Sequence, residues 1–393
     1  MKNIKEKEQD PFFLIHEGYD ASLVVLRACV RAKGFFASGL PGGYEAVWAR
    51  DSMITSLGAA SSGDEFKKTF EKSIDTLSKK QSKLGQIPNA VGSYNTERRS
   101  DVTFNSIDST LWYIVGNYAF AAAYRDKSLL KKYASNLEQA FTWLSYQDPN
   151  EDKLLAQLPT SDWLDAFPHK YGRTINTQAL YYGALKFAGK KKLADHIRRV
   201  VNGEVEKYLS LYDADRGYYL PWIWKTHGPN DREQETWFDS TGNFLAIITG
   251  LATPSIANSI LDYVEQTGVN DPYPCKSISP PIKEGDREWH DYFSESEAGK
   301  PFNYLNGGVW PYVGGLYVAA LVKAGRHEKA KTALMKLAEA NKKGSDREWG
   351  FHEWLHGITG MPAGGSNLYQ GWSAGMYAFA YNSVKRKKVL YFR

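Results

Sequence analysis

The sequence has 393 residues, of which 42% are hydrophobic and 24% charged, a composition that excludes a disordered or fibrous chain. Its 49 lysines and arginines barely exceed its 44 aspartates and glutamates, so we expect no nucleic-acid partner. Aromatic residues make up 14% of the chain, and such a surplus suits binding of flat ligands such as sugars or nucleobases.

The cysteines and the termini indicate a cytoplasmic protein. Cys29 and Cys275 are too few for a disulfide framework or a thiolate metal cage. The first residues lack the apolar stretch of a secretory signal, and no apolar run approaches the roughly 18 residues of a membrane span. We therefore expect a cytoplasmic location, no membrane partner and no metal.

Apolar residues recur at three- and four-residue spacing in twelve segments, which predicts twelve helices. Gly63-Asp64 separates the second segment from the third, and Thr253-Pro254 begins the ninth with proline in its first turn. The helices follow one another in close pairs, as antiparallel hairpins do. The predicted spans are 20–34, 50–61, 64–82, 107–126, 128–147, 174–189, 191–211, 240–251, 254–267, 307–324, 327–342 and 370–386.

Long connections rich in glycine, proline, tryptophan and aspartate separate the helix pairs, and loops of this length are uncommon unless they carry function. Six hairpins with six such loops predict an all-α fold, an (α/α)6 barrel whose loops gather at one end. We expect one domain that covers residues 1–393. The loops span 35–49, 84–106, 148–173, 212–239, 268–306 and 343–369.

The first two loops carry polar and aromatic residues to the starts of two helices. Trp48 is a candidate stacking platform, and Arg50 and Asp51 are candidate hydroxyl-binding groups. An ion pair near a helix N-terminus explains Arg50 and Asp51 equally well. Asn89 ends the motif Gly-Gln-Ile-Pro-Asn in the second loop and is a further candidate for sugar binding.

Two carboxylates are the candidates for a catalytic pair. Asp108 begins a strongly apolar helix, where a lone aspartate is usually a cap or a first-turn acid. An apolar pocket formed by Ile107, Leu111 and Trp112 would instead raise its pKa, as a general acid requires at neutral pH. Glu353 lies among aromatic residues in the last long loop and is the second member of the pair.

Tryptophan or tyrosine recurs together with a carboxylate in five of the six long loops, which favours a ligand site over core packing alone. No phosphate-binding glycine loop, dinucleotide fingerprint or serine nucleophile elbow is present, and the histidines lack metal-ligand spacing. The further candidates for substrate binding are Trp163, Asp165, Asp239, Asn306, Trp310, Gln370 and Trp372.

Taken in order, these segments resemble the six-hairpin glycosidases, a clan of inverting glycoside hydrolases with an (α/α)6 barrel. Segments 48–51, 85–89 and 161–166 are similar to the amylo-α-1,6-glucosidase domain of glycogen debranching enzymes. Segments 306–311 and 369–373 are similar to the alkaline/neutral invertases. The mannosylglycerate-hydrolase-like enzymes share the barrel more distantly.

The resemblance implies an exo-acting, inverting enzyme that releases a terminal sugar without a cofactor. It implies Asp108 as the general acid and an ionised Glu353 as the general base. The expected substrate is a small oligosaccharide or glucoside with α-linked glucose at its end, and the oligomeric state is not predicted. A sucrose-cleaving invertase and a non-catalytic sugar-binding barrel remain open as alternatives, although Leu305 is a departure from the invertases, which have histidine at this position.

Overall fold

A computed structural model describes residues 11–42, 44–92, 100–228, 231–344 and 347–392. Thirteen α-helices lie within these ranges. They are α1 (Pro11–Cys29), α2 (Ala49–Ser61), α3 (Lys67–Lys79), α4 (Asp108–Tyr124), α5 (Ser128–Lys132), α6 (Ala134–Ser145), α7 (Ile175–Phe187), α8 (Lys191–Val201), α9 (Ser240–Thr249), α10 (Pro254–Thr267), α11 (Pro311–Lys323), α12 (His327–Lys342) and α13 (Gly371–Lys385).

Six helices form an inner ring because they are buried on nearly every side: α2, α4, α7, α9, α11 and α13. Each packs on the next, and α13 packs back on α2, which closes the ring. At this closure a Cβ atom on Gly58 would lie 1.7 Å from the carbonyl oxygen of Gly375. The two backbones approach so closely that only glycine fits at position 58.

The outer helices are amphipathic and bury one stripe against the ring. In α8, for example, Ala194, Ile197, Val200 and Val201 are buried while Lys191, Lys192 and Arg199 are exposed. Alternation of inner and outer helices gives the predicted (α/α)6 barrel. None of the described helices is long and apolar enough to cross a membrane.

Three predicted helices differ most from the structure in their bounds. The first runs over Pro11–Cys29 rather than 20–34, because residues 30–31 pair antiparallel with residues 34–35 instead. The predicted helix 128–147 is divided at Tyr133 into two helices. The predicted helix 191–211 ends at Val201, since the chain turns at Gly203 with a φ of 79°.

Short strands lie in the connections at the end of the barrel where the inner helices begin. Within the described residues they are β1 (Val30–Arg31), β2 (Gly34–Phe35), β3 (Ala46–Trp48), β4 (Ala90–Gly92), β5 (Val102–Thr103), β6 (Arg173–Thr174), β7 (Tyr212–Asp213), β8 (Tyr218–Tyr219), β9 (Trp222–Gly228), β10 (Asp231–Gln234), β11 (Phe238–Asp239) and β12 (Ile278–Ser279). Strand β4 lies between β3 and β5 and is antiparallel to both.

Candidate active site

A cavity of about 310 Å³ opens at the end of the barrel where the inner helices begin. Its wall is made of aromatic rings, three carboxyl groups, one guanidinium and several amide or hydroxyl groups. The lining residues are Tyr44, Trp48, Arg50, Asp51, Asn89, Thr103, Asn105, Trp163, Asp165, Tyr304, Trp310, Glu353 and Trp372.

The three-stranded sheet builds one wall of the cavity. Trp48 ends β3 with an extended backbone and caps α2, so Arg50 and Asp51 stand in the first turn of that helix. The backbone N–H of Ala49 donates to the carbonyl of Asn89 at 2.9 Å, which holds the end of β3 beside the start of β4. Backbone pairing thus fixes side chains that are about 40 residues apart in the chain along one wall.

Arg50 is the charge centre of the site. Its Nη1 lies 3.1 Å from Oδ2 of Asp108, its Nη2 lies 3.2 Å from Oδ2 of Asp165, and its Nε lies 4.0 Å from Oδ2 of Asp51. Burial opposes the positive charge, but the three carboxylates together raise the pKa of Arg50 above its ordinary value. Arg50 is therefore a permanent cation that joins three acids.

Asp165 and Asp51 are the carboxyl groups that face the cavity around Arg50. The Asp165 side chain is 38% exposed. The surrounding protein partly removes water from its carboxyl group, which raises the pKa of Asp165, while the charge of Arg50 opposes that rise. Burial raises the pKa of Asp51 to about 6, again against the effect of Arg50. Both acids therefore hold a proton more readily than an aspartate in water.

Glu353 lines the cavity with a carboxyl group that two side chains orient. The hydroxyl of Tyr44 donates to Oε1 at 3.2 Å, and the amide nitrogen of Asn367 donates to Oε2 at 3.3 Å. Burial raises the pKa of Glu353 to about 8, and the charge of Asp51 adds to this rise. This rise opposes the ionised state expected of Glu353 from the sequence.

Aromatic rings form the remaining wall and pack on one another. The ring of Trp372 stacks on Tyr312 with centroids 4.5 Å apart, and the ring of Trp163 meets Trp310 edge to face at 5.5 Å. The indole N–H of Trp310 donates to the carbonyl of Tyr304 at 2.8 Å. Such rigid apolar faces beside carboxyl groups suit a sugar, which has apolar faces and hydroxyl edges.

The model of the family described as amylo-alpha-1,6-glucosidase matches residues 23–378. The chain belongs to this family. It is therefore a member of the six-hairpin glycosidase clan.

Curated relatives of this glycosidase include plant invertases. It is 24% identical to the probable alkaline/neutral invertase A, chloroplastic, of Arabidopsis thaliana over 330 residues, which are 68% of this chain and 49% of that protein. It is 33% identical over 147 residues to the probable alkaline/neutral invertase D of the same plant, covering 37% of this chain and 26% of that protein. The chain spans half or less of the length of these relatives.

Solved structures share the fold of this glycosidase. A wild-type glycosidase superimposes with a TM-score of 0.66 at 16% identity, over 95% of this chain and 98% of the other. The GH63 mannosylglycerate hydrolase from Thermus thermophilus, in complex with Tris and D-glycerate, gives a TM-score of 0.65 at 14% identity, over 92% of this chain and 99% of the other. Both likenesses confirm the (α/α)6 barrel.

Asp108, the predicted general acid of this glycosidase, does not line the cavity. It has no exposed surface, and its carboxylate is paired with Arg50 and accepts a hydrogen bond from the Ser106 hydroxyl. The apolar pocket expected from Ile107 and Leu111 is thus not its immediate environment. Contact of Asp108 with a substrate stays a prediction, which its burial and its pairing with Arg50 do not favour.

Three predicted sugar-binding residues also lie outside the cavity wall. Asp239 is wholly buried, caps α9 through the backbone N–H of Gly242 at 3.0 Å, and lies 2.6 Å from Nζ of Lys170. The buried Asn306 side chain donates to the carbonyl of Ile282 at 2.9 Å. Gln370 is fully buried at the start of α13. Sugar contacts by Asp239, Asn306 and Gln370 stay predictions, which the buried positions of these side chains do not favour.

The structure brings the other predicted substrate-binding residues together in one place. Those that line the cavity are Trp48, Arg50, Asp51, Asn89, Trp163, Asp165, Trp310 and Trp372. Their contact with a sugar stays a prediction. Within the described residues, no group of three or more histidine, cysteine, aspartate or glutamate side chains is placed to hold a metal ion.

The sequence interpretation missed several cavity residues. Tyr44 follows two glycines and precedes Trp48 by four residues, a spacing that carries no recognisable signal. Asn105 and Thr103 stand just before the motif that begins α4, so their proximity to the site could have been inferred. Tyr304 is two residues before Asn306 and was not among the predicted site residues.

Proposed function

We propose that this chain is an inverting, exo-acting glycoside hydrolase that releases terminal α-linked glucose from a small oligosaccharide or glucoside. The observation that carries the proposal is one cavity lined by three carboxyl groups, those of Asp51, Asp165 and Glu353, together with Arg50 and four tryptophans. Carboxyl groups on two sides of a sugar ring are what acid–base hydrolysis of a glycosidic bond requires.

The size of the cavity supports exo action on a small substrate. Ligand pockets commonly enclose about 300–1,000 Å³. At about 310 Å³ the cavity is at the lower end of this range, which suits one or two sugar rings rather than a section of a polymer. Binding of a chain end, with its terminal ring enclosed, is the arrangement that releases single sugars.

Asp165 is the proposed general acid in place of Asp108. Its side chain faces the cavity, is partly exposed and has a raised pKa, whereas the side chain of Asp108 has no access to a ligand. Protonated Asp165 would donate its proton to the glycosidic oxygen.

Glu353 is the proposed general base, which removes a proton from the attacking water. Tyr44 and Asn367 each donate to one oxygen of this carboxyl group and thereby fix the direction in which its lone pairs point. An inverting enzyme needs room for that water, so we expect the carboxyl groups of Asp165 and Glu353 to be roughly 6.5–9.5 Å apart when substrate is bound.

Hydrolysis of sucrose is a second candidate function. The curated relatives described above are invertases, and one of them is similar over two thirds of this chain. The same acid, base and cavity would serve this reaction, because sucrose is also a small substrate with a terminal glucose ring. The two candidate functions differ in the group that is attached to the terminal glucose, and they require the same catalytic pair.

The proposal takes residues 1–393 as one catalytic domain that acts in the cytoplasm without a cofactor. One hydrophobic core cluster includes residues of all six inner helices. Cys29 and Cys275 are buried free thiols, as is ordinary in a reducing compartment.

A substrate panel tests the proposal. Purified protein is incubated with isomaltose, maltose, maltodextrin, trehalose, sucrose and glucosylglycerate, and proton NMR follows the first anomer released. We expect β-glucose to appear first from an α-linked substrate. Release of α-glucose first would overturn inversion, and an early fall in maltodextrin size would overturn exo action. Sugar binding without turnover of any substrate would favour the non-catalytic barrel.

A further inference from the structure

The first turn of α4 contacts two parts of the structure around the cavity. Asp108 pairs with Arg50 of α2, the hydroxyl of Ser109 donates to Oδ1 of Asn89 at 3.4 Å, and the hydroxyl of Thr110 accepts the backbone N–H of Ile87 at 3.1 Å. One of three consecutive side chains thus holds α2, and the other two hold the loop before β4. The first turn of α4 is a framework for the site.

The same turn is also tied to the loop that carries Asp165. The backbone N–H of Ile107, just before α4, donates to the carbonyl of Ser161 at 2.8 Å. Asp162, the next residue in that loop, accepts the backbone N–H of Leu164 at 3.0 Å. The backbone on both sides of the site is therefore fixed independently of the Arg50 side chain.

The Asp108 carboxylate is held against Arg50 in a buried geometry. Oδ1 and Oδ2 lie 3.2 and 3.1 Å from the same nitrogen, Nη1, and the Ser106 hydroxyl donates to Oδ1. Asp108 has no exposed surface and Arg50 is only 4% exposed. A buried ion pair with this many contacts leaves the guanidinium no alternative orientation.

The guanidinium has a second end, which reaches the cavity. While Nη1 contacts the buried Asp108, Nη2 lies 3.2 Å from Oδ2 of the partly exposed Asp165. Because the guanidinium is planar and rigid, fixing one end fixes the other. We infer that Asp108 is a positioning residue that holds Arg50 in place against Asp165, and that it is not itself the acid.

This inference rests on the proposed role of Asp165 and assigns a further effect to Asp108. The charged and titratable groups around Asp165 are Arg50 and Asp51 on α2, Asp108 on α4, and Tyr304 and Glu353 in two loops. Arg50 lowers the pKa of Asp165 and Asp108 raises it. The buried carboxylate thus offsets the cation that would otherwise keep the acid ionised.

The test compares Asp108→Asn with a matched control, Asp239→Asn. Both substitutions remove the charge of a fully buried aspartate at the start of an inner helix, but Asp239 is paired with Lys170 instead of Arg50. Two readouts are used. One is the pH dependence of kcat/KM with a substrate whose leaving group needs protonation. The other is a titration of ¹³C-labelled aspartate carboxyl groups by NMR, with the Asp165 signal assigned by its absence in Asp165→Asn.

For Asp108→Asn we expect the Asp165 signal to titrate at lower pH than in the parent protein. The value of kcat/KM should then fall by about tenfold on the alkaline side of the optimum and by less on the acid side, because a smaller fraction of Asp165 is protonated. Asp239→Asn should leave the Asp165 titration in place even where it lowers the melting temperature.

The outcomes separate this inference from the proposed function. Asparagine keeps a side-chain oxygen that can accept from Nη1 of Arg50 but loses the charge of Asp108. An unchanged or raised Asp165 titration in Asp108→Asn would therefore overturn the effect assigned to the Asp108 charge. If Asp108→Asn shows the expected NMR shift but Asp165→Asn keeps full activity, the role of Asp108 is upheld and Asp165 is not the acid. If Asp108→Asn does not fold, Ser106→Ala, which removes the hydroxyl donor to Asp108, takes its place in the NMR titration. Loss of this hydroxyl removes a partial positive charge from beside the Asp108 carboxylate. Asp165 should therefore titrate at higher pH in Ser106→Ala, and an unchanged titration would count against the inference.

Discussion

The phenolic hydroxyl of Tyr44 lies 3.2 Å from Oε1 of Glu353, although the two residues are 309 positions apart in the chain. Tyr44 belongs to the loop before α2 and Glu353 to the loop before α13, which are neighbours only because the ring of inner helices closes. Closure of the barrel therefore supplies the proposed base with a hydrogen-bond donor from the opposite end of the sequence.

Replacement of Tyr44 by phenylalanine should lower activity at neutral pH because a smaller fraction of Glu353 is then ionised. The hydrogen bond from Tyr44 lowers the pKa of Glu353, so its loss should raise that pKa. With an aryl glucoside, whose leaving group needs no proton, the rise of kcat/KM with pH should move to higher pH. The ring itself, which meets Trp48 edge to face at 5.9 Å, is kept in this variant. Steady-state kinetics between pH 5 and 10 measure the shift.

A matched control for Tyr44→Phe is Tyr146→Phe, since Tyr146 is 77% exposed on the surface. The control should keep the parent's pH profile. A Tyr44→Phe variant with the same profile as the control would show that the hydroxyl does not act on Glu353 during catalysis.

The pH dependence of the unmodified enzyme should reveal the buried base. With an aryl glucoside whose leaving group departs without protonation, only ionised Glu353 is required. Because burial raises the pKa of Glu353 to about 8, kcat/KM should rise about tenfold per pH unit below that value and level off above it. A profile that levels off near pH 5 would show that Glu353 is ionised at lower pH than the structure indicates.

An ordinary α-glucoside should give a different profile because protonated Asp165 is then required as well. The two requirements oppose each other, so kcat/KM should fall above about pH 8 instead of levelling off. Circular dichroism over the same pH range controls for unfolding. The comparison of the two substrates separates the base from the acid without any substitution.

Replacement of Asp165 by asparagine should remove the proton donor while keeping the shape of the side chain. We expect kcat/KM for an alkyl glucoside to fall by about 10²–10⁴-fold, whereas an aryl glucoside with a good leaving group should lose far less. Glu353→Gln should reduce both substrates to a similar extent, because water activation is needed in each case. A loss in Asp165→Asn that is independent of the leaving group would rule out its role as acid.

The periodic parts of the sequence predicted most of the fold. Spacing of apolar residues located the helices because burial against the ring leaves a direct pattern of hydrophobic side chains. The bounds of the first helix, the division at Tyr133 and the end of α8 at Val201 were missed. These ends are set by backbone hydrogen bonds and by Gly203, which leave no period in the sequence.

The site was harder to predict than the fold, because motifs do not say which side chains face the cavity. Asp108 and Asp165 both stand beside tryptophans in polar motifs, and only the three-dimensional structure shows that Arg50 separates the buried one from the exposed one. Tyr44 and Asn367 could not be found from their neighbours in sequence. Their roles arise from contacts across the closed ring.

The last prediction concerns a buried cluster of charges beside the site. Lys170 has no exposed surface, and its Nζ lies 2.9 Å from Oδ2 of Asp162 and 2.6 Å from Oδ2 of Asp239. Each aspartate uses its other oxygen to accept a backbone N–H, that of Leu164 or that of Gly242. Lys170 therefore ties the loop that carries Asp165 to the start of α9.

Replacement of Lys170 by methionine should destabilise the protein by about 3–5 kcal/mol at neutral pH, because two buried carboxylates lose their cation. Burial raises the pKa of Asp162 to about 6, and Lys170 opposes that rise, so the variant should raise it further. An acid whose pKa is raised on folding contributes to the stability of the protein at low pH, and this contribution is lost as the pH rises through the pKa of the folded state. The deficit measured by urea unfolding should therefore be smaller at pH 5 than at pH 8.

Lys153→Met, which removes a 56% exposed lysine from its pair with Asp148, is the control and should cost less than about 1 kcal/mol. A deficit for Lys170→Met no larger than that of the control, or one that grows towards acid pH, would show that this cluster does not hold the loop in place.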